Sequence, residues 1–184
     1  MSVLRLKSKF YEEVEAVPHP EYPRPQMERD SFVNLNGKWE FAILDSSEKF
    51  NGYDKEILVP FSPECLLSGL SGIEAKPTDV LYYNRTFELT KEFLKDRTFI
   101  HFGAVDYACT LEINKKKVGA FTSGYFPVSL EITDFVKLGK NEIALIITDP
   151  CDSGTQARAK QKTKHGGIWY TPQSGIWQTV WLES

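Results

Sequence analysis

The sequence predicts an all-β protein, an antiparallel β-sandwich of the jelly-roll kind, and three observations about the chain predict the sandwich. Apolar and polar residues alternate with period two in one short segment after another, as strands with a single buried face require. Gly, Pro, Asn and Asp recur between those segments at the short intervals typical of sandwiches. Stretches long enough for βαβ crossover helices are missing, which removes the parallel α/β classes.

Taken in order, residues 1–30 read as an extended arm. Pro18, Pro20, Pro23 and Pro25 remove backbone donors and favour polyproline-like geometry, so this arm is expected to lie along a surface. Residues 31–184 form the sandwich. Trp39, Phe41 and Ile43 alternate with Lys38, Glu40 and Ala42 in its first clear strand. Leu81, Tyr83, Arg85, Phe87 and Leu89 share one face of the next, with Arg85 the charge out of place. Strands follow over 98–102, 107–114, 117–121, 128–132, 143–148 and 176–182. Short helical turns are expected near 32–36, 63–67 and 134–137. A charge on an apolar face is costly unless paired, and Asp106, after Gly103-Ala104-Val105, is the expected partner of Arg85. At Asn114-Lys115 a tight type I′ hairpin would need positive φ twice, which Lys resists, so a longer or different turn is expected.

Composition narrows the function. A chain of 184 residues suits one domain with a real core. Aromatic residues make up 13%, a share that suits both strands and surfaces that grip sugars. A net charge of −3 offers no general field to nucleic acid or to an anionic membrane. No stretch approaches the roughly 20 apolar residues needed to cross a bilayer. The first residues, MSVLRLKSKFYEEVEA, lack the apolar region of a secretory signal, and a cytoplasmic location is the expectation. Cys65, Cys109 and Cys151 are odd in number and widely spaced, which indicates neither a disulfide framework nor a zinc site. His19, His101 and His165 show no ligand spacing, so no metal or cofactor is called for.

Several stretches, in order, resemble the N-terminal sugar-binding domain of family 2 glycoside hydrolases, the group of β-galactosidases, β-glucuronidases and β-mannosidases. They are PRPQMERDSFVNLNGKWEF, VPFSPECLLSG, LYYNRTF, HFGAVDYACTLEINKKKVGAFTSGYFPVSLEIT, GKNEIALIITDPCD and GIWYTPQSGIWQTVWLE. The resemblance implies a galactose-binding-like jelly roll. It also implies a parent chain in which an immunoglobulin-like domain and a (β/α)₈ barrel with two catalytic glutamates follow. On this reading the chain is a carbohydrate-binding accessory domain that packs on the barrel and lends a loop to its sugar site.

Retaining hydrolysis needs two carboxyl groups about 5 Å apart, which the family carries on barrel strands, and a barrel takes about 250 residues. No catalytic residue is therefore assigned within 184 residues, and the chain alone is expected to be inactive. Asn141-Glu142 reproduces the dipeptide around the family's acid/base residue. It follows Gly139-Lys140 and opens a strand, so it reads as a turn and a solvated carboxylate.

The segment 151–167 is polar, carries Arg158, Lys160, Lys162, Lys164 and His165, and runs into Trp169, Tyr170 and Trp177. Sugars present hydroxyls for hydrogen bonds and C–H faces for stacking on aromatic rings. Lys160, Gln161, Trp169 and Tyr170 are the candidate sugar contacts, with Asp106 as a further acceptor. The competing reading makes the basic residues solvated and the aromatics sheet core. Trp177 and Trp181, on one face with Thr179, read as core. Some family members place a sugar-binding aspartate just before the closing signature. Here His165, Gly166 and Gly167 stand nearest, which leaves the substrate sugar open. A freestanding lectin-like module and an interaction domain without sugar contact are the alternatives.

Overall fold

Period-two alternation works out as two antiparallel sheets that face each other. A computed structural model describes residues 7–70 and 73–184; the first six residues of the expected arm lie outside the described residues. The smaller sheet has the order β1 (Phe32–Asn34), β11 (Val180–Glu183), β5 (Phe99–Phe102) and β8 (Val128–Glu131). The larger sheet has the order β10 (Gly175–Ile176), β6 (Val105–Ile113), β9 (Gly139–Thr148), β4 (Asp79–Leu89), β2 (Gly37–Asp45) and β3 (Lys55–Val59). A further strand, β7 (Lys116–Ser123), also pairs with β6, and every pairing is antiparallel.

The inner faces make one core. Trp39, Phe41, Leu81, Tyr83, Leu111 and Leu145 from the larger sheet pack with Ile100, Phe102, Val180 and Leu182 from the smaller. Each such side chain stabilises the fold by about 1.5–3 kcal/mol on burial. Tyr83 sits between Trp39 and Phe41 with edge-on ring contacts at 6.4 and 4.9 Å.

Between β1 and β2 the chain changes sheets, and Asn36 organises that corner. Its Nδ2 donates to the Pro18 carbonyl at 2.9 Å and to Thr179 Oγ1 at 3.2 Å, and its Oδ1 accepts from the Val180 amide at 3.0 Å. Arg85 Nη1 donates to the carbonyls of Leu35 and Asn36 at 2.9 and 2.7 Å. The expected Arg85–Asp106 pair is therefore not formed. Arg85 lies opposite Ile143 on β9, whereas Ala108, next to the bulge that carries Asp106, lies opposite Thr148. Five strand residues separate those positions (148 − 143), roughly 16 Å along the sheet.

The arm lies on the outer face of the smaller sheet. Tyr22 Oη donates to Glu183 at 2.7 Å, Arg29 Nε reaches the same carboxylate at 3.3 Å, and Arg24 lies over the Trp181 ring.

Three further expectations are corrected. The segment 32–36 forms β1 and a bend rather than a helical turn, because its backbone pairs with β11. The segment 176–182 is not one strand: it breaks at Trp177–Thr179, with β10 in one sheet and β11 in the other. Neither tryptophan consequently joins the inter-sheet core. Trp181 is buried on the outer face, stacked on His101 at 4.9 Å, and Trp177 stands at the end of the sandwich. Finally, Asn114 and Lys115 do form a two-residue hairpin, with φ of 50° and 64° between the paired Ile113 and Lys116. Asn114 holds it in place by donating to the Phe135 carbonyl and Asn141 Oδ1 while accepting from the Glu142 amide. Strand β3, with only Ile57 and Val59 facing inward, was not legible beforehand.

Lys115 thus occupies a left-handed position that glycine adopts without a Cβ clash. Lys115→Gly is expected to raise stability by about 1 kcal/mol in urea unfolding; a lowered midpoint would contradict this account of the turn. Asn36→Ala, which strands the Pro18 carbonyl, the Thr179 hydroxyl and the Val180 amide at this buried corner, is expected to cost about 2–4 kcal/mol in the same assay.

Candidate functional site

Three carboxylates meet where β6 begins and β9 and β7 end. Asp106 occupies the irregularity between Val105 and Ala108, Asp149 follows β9 directly, and Glu64 comes from the loop after β3. All three are buried, at 3%, 4% and 4% exposure, so each must find partners inside the protein. Asp149 accepts from the Cys151 amide at 2.7 Å and from Ser174 Oγ at 2.8 Å. Glu64 accepts from the amides of Ala75 and Ser174 at 3.3 and 3.2 Å. The Gln161 amide lies beside Asp106 and favours its ionised form.

Close backbone approach makes the arrangement possible. A Cβ on Gly124 would come within 2.7 Å of Asp106 Oδ1. A Cβ on Gly175, whose φ is 74°, would collide with the Tyr83 hydroxyl. The Gly124 carbonyl accepts from Trp177 Nε1 at 2.8 Å, and Tyr125 packs edge-on to the Trp177 ring. Gln161 Nε2 donates to Tyr125 Oη at 2.8 Å, and Gln161 Oε1 accepts from the Gln173 amide at 2.5 Å. Gln173 in turn accepts from Ser62 Oγ at 2.9 Å.

Above this floor stands the loop 160–170. Its backbone closes on itself, Tyr170 N donating to the Lys160 carbonyl at 2.8 Å and Lys162 N to the Tyr170 carbonyl at 3.1 Å. Trp169 is 37% exposed and Tyr170 60% exposed, so the reading of these rings as sheet core is overturned. Lys162 Nζ lies 4.2 Å from the Trp169 ring centre, and Lys160 Nζ lies 6.0 Å from that of Tyr170. An open groove of about 610 Å³ runs alongside, lined by residues that include Glu74, Lys76, Asp152 and Thr163.

The five expected site residues thus fall into two groups. Asp106 and Gln161 meet in the floor, while Lys160, Trp169 and Tyr170 are displayed outward. Sequence reasoning missed Glu64, Asp149, Tyr125 and Ser174, and it placed Trp177 in the core. An acid directly after a strand, as in Thr148-Asp149-Pro150, is the one signal available for Asp149. Nothing near Glu64 in sequence reports its burial. Among the described residues no group of three or more His, Cys, Asp or Glu is placed to hold a metal ion.

The fold and this end-of-sandwich site define a β-sandwich module, and comparison with known proteins identifies its family. The model described as "Glycosyl hydrolases family 2, sugar binding domain" matches residues 70–182. The chain belongs to that family. A putative β-glucuronidase of Formosa agariphila is 28% identical over 139 residues, covering 70% of this chain and 13% of that protein. A β-galactosidase of Thermoanaerobacter pseudethanolicus is 24% identical over 106 residues, covering 56% and 14%. The chain therefore spans a small part of the length of the curated relatives it matches. Among solved structures, a β-glucuronidase from Ruminococcus gnavus in complex with C6-substituted uronic isofagomine shares the fold, with a TM-score of 0.64 at 19% identity. That match covers 92% of this chain and 31% of the other. A β-D-mannosidase from Dictyoglomus thermophilum matches with a TM-score of 0.62 at 22% identity, covering 86% and 23%.

Burial, then the charge of Asp149, pushes the pKa of Asp106 up to about 7, with Glu64 adding to the rise and the Gln161 amide opposing it. Burial also raises Asp149 and Glu64. A carboxyl raised above its unfolded value binds more protons in the folded state, so stability falls as pH climbs from about 4 through 7. Asp106→Asn is expected to flatten that fall by on the order of 2–3 kcal/mol. Urea unfolding at pH 4.5 and 8 measures it, and an unchanged pH slope would show that Asp106 is not the group responsible.

Proposed function

We propose that the chain serves as the sugar-binding module of a longer retaining family 2 glycosidase. In that enzyme the loop 160–170 meets a β-glycoside whose bond is cleaved on a separate catalytic barrel, against which the module packs. The observation that carries this reading is the outward display of Trp169 and Tyr170 with Lys160 beside them. Aromatic faces and an ammonium group are what sugar C–H faces and hydroxyls bind. Large rings left in water on a loop that closes on itself favour a ligand over a packing role. The names of the relatives, β-glucuronidase and β-galactosidase, support β-glycosides as the substrate class.

The open groove beside the loop, lined by both polar and apolar residues, favours a second reading, a lectin-like module with a complete site of its own. The two separate by affinity. On the first reading a polypeptide of these 184 residues binds methyl β-glucuronide or methyl β-galactoside only at about millimolar concentration, because the barrel supplies most contacts. Nuclear magnetic resonance shifts confined to 160–173 would report it. Micromolar affinity would transfer the assignment to the lectin reading. In the longer enzyme, Trp169→Ala with Tyr170→Ala is expected to raise KM about tenfold or more at unchanged thermal stability, the loss of roughly 1.4 kcal/mol or more of binding. Unaltered kinetics would remove the loop from the site. The polypeptide alone is expected to release no p-nitrophenol from p-nitrophenyl β-glycosides; sustained turnover would mean that the chemistry does not need a barrel.

A further inference from the structure

We infer that Gln161 is a positioning residue rather than a sugar contact: its amide latches the loop 160–170 onto the ends of β6 and β7, and so sets where Lys160, Trp169 and Tyr170 stand. This rests on the loop being the sugar-facing element. The argument is an inventory of one side chain. A glutamine amide has two N–H donors and one carbonyl acceptor. Nε2 donates to Tyr125 Oη at 2.8 Å with the Asp106 carboxylate beside the amide, and Oε1 accepts from the Gln173 amide at 2.5 Å. These partners come from three different places in the chain. Asp106 belongs to β6, Tyr125 follows β7, and Gln173 leads into β10. Gln161 also sits at the root of the loop, where its backbone bridges to Tyr170. Both legs of the loop are therefore tied at one amide, while the residues beyond it touch the body of the sandwich sparsely. Thr163, bonded to Asp152, and His165, 3.5 Å from Glu74, are the other anchors.

The latch has a polarity: an amide stands beside a carboxyl and favours its charged form. The charged groups acting on Asp106 are the carboxylates of Asp149 after β9 and Glu64 from the loop after β3. Tyr125 and Cys151 are the other titratable neighbours. Among the described residues that act on Asp106 none is a cation, so the amide is the favourable neighbour that Asp106 has on this side. Exchanging the two groups should preserve the pairing: an asparagine at 106 donates to a glutamate at 161, whose oxygens still accept from Gln173 N, while the Tyr125 hydroxyl turns to donate.

Arg158, Lys160, Lys162 and Lys164 provide a direct assay, because trypsin cuts the loop only when it leaves the body of the protein. Gln161→Ala in this chain is expected to speed cleavage within 158–164 by on the order of tenfold, the loss of one or two hydrogen bonds. Gln161→Glu, which sets a carboxylate against Asp106, should do the same, most strongly above neutral pH. The double variant Gln161→Glu with Asp106→Asn should return the rate to within about twofold of the parent and abolish that pH dependence. Unchanged cleavage in Gln161→Ala, or a double variant no slower than Gln161→Glu, would overturn the latch. Intact mass and the urea midpoint, read on the same samples, separate loop release from global unfolding. The sugar reading fails separately: if Trp169→Ala with Tyr170→Ala leaves glycoside kinetics unaltered, the latch still stands on its own proteolysis result.

Discussion

The two sheets are joined at one polar corner, and the rest of the sandwich depends on it. An Asn36 side chain with no exposure holds the arm through Pro18 and the smaller sheet through Thr179 and Val180. The backbone carbonyl of Asn36 receives Arg85 from the larger sheet. Apolar packing between sheets is non-directional and would tolerate sliding. Buried hydrogen bonds do not tolerate it, since a shift of one residue leaves donors and acceptors unmet where water cannot replace them. The corner therefore sets how the two layers are stacked, and it uses the misplaced charge of β4 to do so.

The site at the opposite end of β4 follows from that stacking. Once β6, β7 and β9 are in register, Asp106, Gly124 and Asp149 converge, and the segment 173–176 threads past Tyr83 to deliver Ser174 to two carboxylates. A floor built from buried acids carries an electrostatic cost, visible in the raised pKa of Asp106. The Gln161 amide and hydrogen bonds from Ser174 and the Cys151 and Ala75 amides offset part of it. The outcome is a stiff platform beneath a loop of exposed aromatic and basic residues, a division of labour common where a rigid scaffold presents a binding loop.

Strand existence and facing were legible wherever alternation ran over four or more residues. Trp39 and Phe41, Leu81 and Tyr83, and Leu111 and Ile113 point inward as their spacing requires. The candidate loop was legible as well, because its polar, basic and aromatic run breaks the period. Short edges such as Phe32–Asn34 and Lys55–Val59 were not, since three residues carry too little periodicity in the first and the apolar run Ile57-Leu58-Val59 hides the alternation in the second. The 176–182 run failed for the opposite reason. Its apolar residues continue, yet the chain leaves one sheet for the other at Trp177, and a period-two pattern reads the same on both sides of that jump.

Sequence alone thus determined which residues face a core and where the chain turns, because side-chain alternation is a property of neighbours in the chain. Tertiary structure decided what each polar residue meets. Arg85 found two carbonyls instead of a carboxylate, Lys115 took a left-handed turn that Asn114 and Asn141 secure, and Gln161 was consumed by Tyr125 and Gln173. Those outcomes depend on strand register and on loops that converge from distant parts of the chain, and no local pattern encodes them.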